Sequence, residues 1–559
     1  MPLQPRHAGQ HQREHRREGL LTVSGVREVD LLCVGGGLGG LAAALRAHEL
    51  GAEVLVAERS SLVGGVAAYS GGFVWVGGDP LSSSAADPIE AVESYLDHVQ
   101  GERPVDRAAR REYLLDAVEA TAWFADAGVP LRVIPDAPDL YHPAPGSTSE
   151  GRLLECVLDG AELGAWRPRL RPGPYYDIGV TRAERYTEPA TPDGAAPAED
   201  RLTHGVGLAG GFVRETLVRR GVECLLGHRA VELLREDGAV VGAVLDGPGG
   251  RVAVRARGGV LIAAGGYGWT SHAAELEDVP ELVECAPPVV EGDSATLAEQ
   301  AGAGLVRGAD PFFSVGYGFP GEVHPGTDVP LVRPLLAHLG LPHSMIVNRD
   351  GRRFGDESYY GALIGALRRF DGRRRRWANL PCWFLVDDEY RKRYPLGPYA
   401  AGQEWPHSIP RADSLAELAA LTGIDPDGLE RTVTAFNEGA DRGEDPEFGR
   451  GTLPFVLRTY GDAAHEPNGC LGALRTPPFY ALDLTVVGFG MGTLGLWIDR
   501  HARVLRRDGT PIPGLYATGN AAATRELRGY VTGLANARNY TYAYRAAGHA
   551  CGRVRGTHE

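Results

Sequence analysis

Lysine is almost missing from this chain. Lys392 stands alone, and arginine supplies the rest of the 57 basic side chains. The bias reads as the mark of a GC-rich genome rather than of a function. Positive charge is in deficit overall: 72 acidic residues leave a formal net charge of −15, which argues against nonspecific nucleic-acid binding and against attraction to an anionic membrane surface. Cysteine is sparse and dispersed, at Cys33, Cys156, Cys224, Cys285, Cys382, Cys470 and Cys551 with no C-x-x-C pair. No disulfide framework is expected, and no metal site. The apolar run that follows Asp30 is too short to span a bilayer, and Arg46, His48 and Glu49 interrupt it. Residues 1–26 are rich in Arg, His and Gln and lack an apolar signal core, so the sequence predicts a disordered tail and a cytoplasmic protein.

What is present is large and ordinary in balance. The 559 residues can hold two or three domains, and 43% hydrophobic with 23% charged residues suits a soluble globular protein. The stretch Asp30 to Glu58 organises the rest. Leu31–Val34 has strand character and runs into GGGLGG, where Gly35, Gly37 and Gly40 satisfy G-x-G-x-x-G. A helical pattern follows from Leu41, then a second apolar strand, Ala52–Ala57, closed by Glu58. This strand–turn–helix–strand unit with its acid is a dinucleotide-binding signature. The glycines permit a tight turn, close approach to a pyrophosphate and close helix–strand packing. The pyrophosphate would sit on the helix N-terminus near Leu38 and Gly39, and Glu58, beside Arg59, would accept from a ribose.

The next segment, SSLVGGVAAYSGGFVWVGG, alternates glycine and small residues with Tyr69, Phe73 and Trp75. Such a loop can wrap a planar cofactor, which makes Gly64, Gly65, Ala68, Tyr69, Ser70, Gly71 and Gly72 candidates for it. Helices are predicted at 88–100, 106–128 and 206–220, and strands at 222–226, 229–235, 239–246 and 251–256. A buried strand, Val260–Ala264, then ends in Gly265 and Gly266, expected near an adenosine together with Ala264, Ala230 and Asp293. From about 305 the composition changes to Pro- and Gly-rich turns and short strands, including a hairpin in HSMIVNRDGRRF closing on Asp350-Gly351. Helices at 412–422 and 426–438 complete an inserted domain. GRRRR at 372–376 reads as a solvated turn. The nucleotide domain resumes at about 486 with the strand Leu515–Ala517, Gly519-Asn520 and a last helix near Thr532–Ala550 that includes Leu534. The expected division is a tail at 1–26, a dinucleotide-binding domain at 27–304 and 486–559, and an inserted domain at 305–485. Substrate would bind at their interface.

In these segments the chain resembles the fumarate reductase/succinate dehydrogenase flavoprotein superfamily, and within it the 3-ketosteroid dehydrogenase branch. The matching stretches are GGGLGG with Glu58, GGVAAYSGGFVWV, PDLYHPAPGSTSEGR, ARGGVLIAAGGYGW, GDSATLAEQAGA, VNRDGRRFGDES and IPGLYATGN. The resemblance implies that the first of these domains is an α/β, Rossmann-like FAD-binding domain and the second an inserted α+β catalytic domain capping the flavin. It also implies a small cyclic ketone or enone as substrate and an external electron acceptor. Some superfamily members attach flavin through a histidine just before A-x-G-G; AAYSGG has none, so FAD is expected to be noncovalent.

The resemblance further assigns tyrosines. Tyr360, or Tyr359, would remove the proton, with Tyr141 as a hydrogen-bonded support. Tyr530 and the N–H of Gly533 would grip the ketone oxygen, and Thr532 stands where the Δ4-type enzymes carry serine. DESYY is one residue shorter than the E-S-x-P-Y of the Δ1-dehydrogenases, which leaves 359 and 360 both open. Arg525 and Arg528 either form surface ion pairs or bind a carboxylate. Two other readings remain: a reductase of an enone or unsaturated acid, kept open by Arg525, Arg528 and Arg538, and a flavin-binding protein with a structural or redox-sensing role.

Overall fold

The computed structural model describes residues 26–81, 87–176, 181, 200–308, 310–524 and 526–556. The expected tail therefore lies outside the described residues except for Val26, which already begins the first strand. That strand, Val26–Val34, is longer than its apolar core suggests, because its polar first half pairs with 253–256.

Val26–Val34 is the centre of an eight-stranded sheet. It lies parallel between Gly250–Ile262 and Val54–Glu58, with Pro511–Ala517 and Glu223–Leu226 flanking that trio. A strand covered on both faces reads as a continuous apolar run, and Leu31, Leu32 and Cys33 are buried accordingly. Cross-strand rows such as Leu55, Leu32, Val260 and Leu515 set the register. The segments expected as 251–256 and Val260–Ala264 belong to one strand, Gly250–Ile262, because the ladder shifts register after Ala256 and resumes at Gly259 opposite Leu31.

Two helices lie against this sheet, Leu38–Glu49 and Leu534–Val554. Ala42, Ala43 and Ala44 on the first and Ala543, Ala546 and Ala547 on the second are fully buried, and their small side chains allow close approach. Two glycines of the turn are fixed by this packing. Gly35 has φ +114, and a Cβ on Gly40 would come within 1.9 Å of the Gly35 carbonyl oxygen. The first helix starts at Leu38, three residues earlier than its apolar spacing implies. Helices Ile89–Gln100 and Arg107–Asp126 form as expected, the second capped by Asp106. The predicted 206–220 helix is α-helical over His204–Val213 and widens to a π turn over Arg214–Arg219, where Glu215 is held by Arg214, Arg219 and Arg220.

A second, seven-stranded sheet draws on residues from Val283 to Gly488. Its spine is Phe479–Gly488, paired antiparallel with Phe313–Val323, Cys382–Val386 and Arg411–Ala412, and parallel with Val283–Glu284. Strand alternation divides two cores. Ile346, Phe384 and Leu482 face the helix Tyr360–Leu367, while Met345, Leu385 and Ala481 face the helices Leu415–Thr422 and Pro426–Ala440. The hairpin expected at 343–354 is not formed. Ser344–Asn348 pairs with Cys382–Val386 instead, and after the turn at Asp350-Gly351 the chain is pulled away by Arg353, which ion-pairs with Glu357 and Asp445. No helix among the described residues is long and apolar enough to cross a membrane.

Candidate active site

An elongated cleft runs from the glycine turn, along the small-residue loop, to the start of the last helix between the two sheets. At the first end its wall is mostly backbone. Gly37 caps the helix Leu38–Glu49 with no side-chain hydrogen bond, so the first-turn N–H groups are free of a side-chain cap and suited to an anion. A Cβ on Gly37 would meet nothing closer than Gly65 Cα at 3.6 Å; the fold tolerates it, but it would enter the space kept for a ligand. Glu58 is buried, its Oε2 accepting from Gly36 N at 2.7 Å and its Oε1 from Ser60 N at 2.8 Å. Each oxygen keeps a second lone pair for a ribose hydroxyl. Arg59 and Arg229 both pair with Asp293.

The loop from Gly65 to Gly72 is pressed between the glycine turn and the helix His204–Val213. A Cβ on Gly72, at φ +72, would overlap the His204 carbonyl carbon at 2.1 Å. Opposite it, Asn536 Nδ2 donates to Phe73 O at 2.8 Å, and Thr518 Oγ1 donates to Asn539 O at 2.6 Å.

Most expected cofactor residues line this cleft: Gly35, Gly37, Leu38 and Gly39; Glu58 and Arg59; Gly65 and Tyr69 to Gly72; Ala230, Ala264, Gly265 and Asp293; Gly519 and Asn520. Five do not. Gly40 and Ala68 are packing positions, Gly64 lies against Leu170 and Ala209, Gly266 faces Gly490, and Leu534 turns into the core. Sequence reading missed Arg171, Tyr175, Asn536 and Asn539. The last two stand at i and i+3 on one helix face, a spacing that could have exposed them.

The far end is aromatic and apolar, made by Phe312, Tyr360, Tyr460, Phe489, Met491 and Tyr530 with Leu336. Tyr530 packs against the cores of both sheets. Phe312 stacks on its ring at 4.4 Å and Tyr360 meets it edge-on at 5.3 Å. The backbone before it is anchored by Gly529 N, which donates to Asp310, itself paired with Arg103. Gly533, at φ +88, is the N-cap of the last helix.

The tyrosines are arranged differently from expectation. Tyr141 hydrogen-bonds to Tyr359 rather than to Tyr360, and neither Tyr141 nor Tyr359 lines the cleft. The cause is local: Tyr359 is the extended N-cap of the helix Tyr360–Leu367, so the neighbouring rings diverge, one toward Tyr141 and one into the cleft. Asp139 fixes the Tyr141 loop by accepting from Trp75 Nε1 at 2.6 Å and pairing with Arg152 at 2.8 Å. Burial raises the pKa of all four phenols. Tyr360 is pushed well above the ordinary value, whereas Tyr530 reaches about 12, burial being offset by the hydroxyls of Tyr360 and Thr532. All four are therefore protonated donors at neutral pH. The cleft's arginines, Arg59, Arg171 and Arg229, belong to the Glu58 end. Arg528 and Arg538 do not line it, and Arg525 lies outside the described residues.

Comparison with known proteins agrees with this geometry. Residues 30–533 match the FAD binding domain family. The chain is 31% identical over 528 residues to a 4-oxocyclohexanecarboxylate 2-dehydrogenase of Sinomonas cyclohexanicum, covering 90% of this chain and 89% of that one. It is also 31% identical over 551 residues to a 3-oxosteroid 1-dehydrogenase of Mycobacterium tuberculosis, covering 89% and 93%. Among solved structures it is similar to a 3-ketosteroid Δ1-dehydrogenase of Sterolibacterium denitrificans in complex with 1,4-androstadiene-3,17-dione. The TM-score is 0.83 with 28% identity, over 94% of this chain and 99% of that one. The uncapped helix N-terminus and the glycine cradle fit FAD. The chain belongs to the FAD-binding flavoenzymes of the 3-ketosteroid dehydrogenase branch and is an oxidoreductase acting on CH–CH groups.

Proposed function

We propose that this enzyme introduces a C=C bond next to the ketone of an uncharged, apolar ring substrate, with noncovalently held FAD. The observation that carries the reading is the far end of the cleft. Tyr530 stands beside the helix N-terminus at Gly533, within walls that are aromatic and, among the described residues, free of charge. A ketone oxygen seated there receives the Tyr530 O–H and the Gly533 N–H, and the helix dipole adds to both. Holding that oxygen acidifies the adjacent C–H.

A tyrosine is a poor base at its ordinary pKa of about 10, and burial makes it poorer still. Proton removal therefore depends on this acidification. Tyr360, which lines the cleft next to Tyr530, takes the proton while its own hydroxyl proton passes along its hydrogen bond to Tyr530. The Tyr530 proton passes to the ketone oxygen, so no charged phenol forms. A second assignment rests on the hydrogen bond between Tyr141 and Tyr359: Tyr359 would accept, with Tyr141 relaying. Bound FAD supplies the hydride-accepting chemistry, and an external acceptor reoxidises it. Residues from about 305 to 485 serve as the substrate-binding cap.

The carboxylate-bearing alternative is disfavoured by the absence of a cation at the Tyr530 end among the described residues. Anaerobic mixing with neutral ring ketones, 3-ketosteroids included, should bleach the flavin's blue absorbance, and 4-oxocyclohexanecarboxylate should not. Bleaching by the carboxylate alone would defeat the substrate assignment. If reduced enzyme is reoxidised by enones while no saturated ketone bleaches it, the direction is reversed. Acid precipitation should leave a yellow supernatant; colour in the pellet would mean a covalent link.

A further inference from the structure

Seven arginines of the described chain are buried, and six of them meet a carboxylate. Arg110 pairs with Asp97, Arg152 with Asp87 and Asp139, and Arg214 with Glu162 and Glu215. Arg353 pairs with Glu357 and Asp445, Arg391 with Asp388, and Arg450 with Glu357. Arg171, 4% exposed, is the exception. Its Nη2 donates to Ser60 Oγ at 2.9 Å, and its Nε is buried with no hydrogen-bond partner. Burial draws its pKa down, with Glu58 and Tyr69 pulling the other way, whereas the paired Arg152, Arg353 and Arg391 are raised. An unpaired buried charge is costly, and a native structure that keeps one has a use for it.

Its position says what the use is. Arg171 N donates to Val63 O, and the neighbouring Gly64 N donates to Gly36 O. Its backbone thus lies one chain segment away from the glycine turn, and its side chain lines the cleft there. Tyr69 faces the same guanidinium, and no other polar group among the described residues meets its buried hydroxyl. A diphosphate in that turn carries about two charges, and a helix N-terminus offers only about half a unit in return. The other two arginines of the cleft, Arg59 and Arg229, are already committed to Asp293 and Glu291. In a chain of net charge −15, the diphosphate needs a cation, and among the described residues of the cleft Arg171 is the arginine with no ion pair.

We propose that Arg171 is the cation that neutralises the FAD diphosphate, with the Tyr69 hydroxyl as its companion donor beside the glycine turn. The inference rests on FAD binding, which the wild-type protein tests separately as the control. Nothing in G-x-G-x-x-G announces this residue, because it comes from a loop more than 100 residues downstream.

The test is dilution of wild-type, Arg171→Met and Arg171→Lys holoproteins, with flavin fluorescence reporting release, at low and high NaCl. Thermal unfolding in saturating FAD confirms folding. Arg171→Met should bind FAD about 10- to 100-fold more weakly, the range for losing a charged hydrogen bond, and should lose most of the wild type's salt dependence. Arg171→Lys keeps the charge but not the fork, so it should hold FAD within about ten-fold of wild type and keep the salt dependence. That outcome decides the matter even if Arg171→Met does not fold. An Arg171→Met protein that holds FAD as tightly as wild type would overturn the proposal. So would a lysine variant that loses FAD affinity and salt dependence together.

Discussion

The two ends of the cleft are built by opposite means. At the Glu58 end the ligand-facing atoms are mostly backbone, exposed by glycines such as Gly35, Gly39 and Gly72 whose neighbours leave no room for a side chain, and Asp293 and Glu291 neutralise Arg59 and Arg229. At the Tyr530 end the wall is made of rings from segments far apart in sequence, Phe312, Tyr360, Tyr460, Phe489 and Tyr530, packed on one another edge-on, tilted and, for Phe312 and Tyr530, face to face. The first end recognises an invariant cofactor through geometry that any sequence must reproduce. In the function proposed, the second receives a substrate through shape and one activated oxygen site. A glycine change should therefore act on cofactor binding as a whole, and a ring or hydroxyl change on chemistry with cofactor retained.

The sharpest break of that contrast is Gly37→Val. The backbone at Gly37 accepts a Cβ without collision, so the chain should fold, yet the side chain fills the diphosphate space. We expect colourless, inactive protein with a near-normal melting profile; yellow, active Gly37→Val protein would place the cofactor elsewhere. Next comes Tyr360→Phe, which should keep the flavin and lose about 10²–10⁴ in kcat if Tyr360 takes the proton. Tyr359→Phe removes only a hydrogen bond to Tyr141 and should cost about five-fold, the kinetic equivalent of about 1 kcal/mol. If the two variants exchange these magnitudes in steady-state assays, the proton passes through the Tyr141–Tyr359 pair.

A smaller effect concerns pH. The folded Tyr530 phenol sits at about 12, above the ordinary value near 10. Its contribution to stability is full below about pH 10 and declines as pH rises through the folded value. The same shift keeps it a hydrogen-bond donor across the working range. The kcat/KM profile should show no alkaline loss assignable to Tyr530 below about pH 11, and urea midpoints should begin to fall only above about pH 10. An alkaline limb near pH 8 would mean that another group holds the oxygen.

The contrast also explains how much could be read from the sequence. The strand–glycine–helix–Glu58 unit, the small-residue loop and the Gly519-Asn520 turn are local patterns with fixed spacing, and the structure brings them to one wall. Arg171 stayed hidden because the role proposed for it comes from lacking an ion pair, which only packing reveals. The hairpin at Asp350-Gly351 was misread because a turn signal says nothing of which strand pairs next; the ion pairs of Arg353 and the partner strand Cys382–Val386 decided it. Tyr141, Tyr359 and Tyr360 were legible as a group from the family resemblance, but their hydrogen-bond partners depend on one extended residue at a helix start. Phe312, Phe489 and Met491 carry no signal of their own, since an apolar residue in a strand or loop looks like core until the fold places it on the wall of a cleft.

The central claim is that Tyr530 and the N–H of Gly533 hold the ketone oxygen while the adjacent C–H is broken. Anaerobic single-turnover reduction of wild-type and Tyr530→Phe holoenzyme by a neutral ring ketone measures that step alone. The account predicts flavin reduction slowed by about 10²–10³ in the variant, the cost of one donor to a developing oxyanion. The apparent substrate affinity should change far less, because the donor acts chiefly in the transition state. Reduction at the wild-type rate, with or without weakened binding, would contradict it.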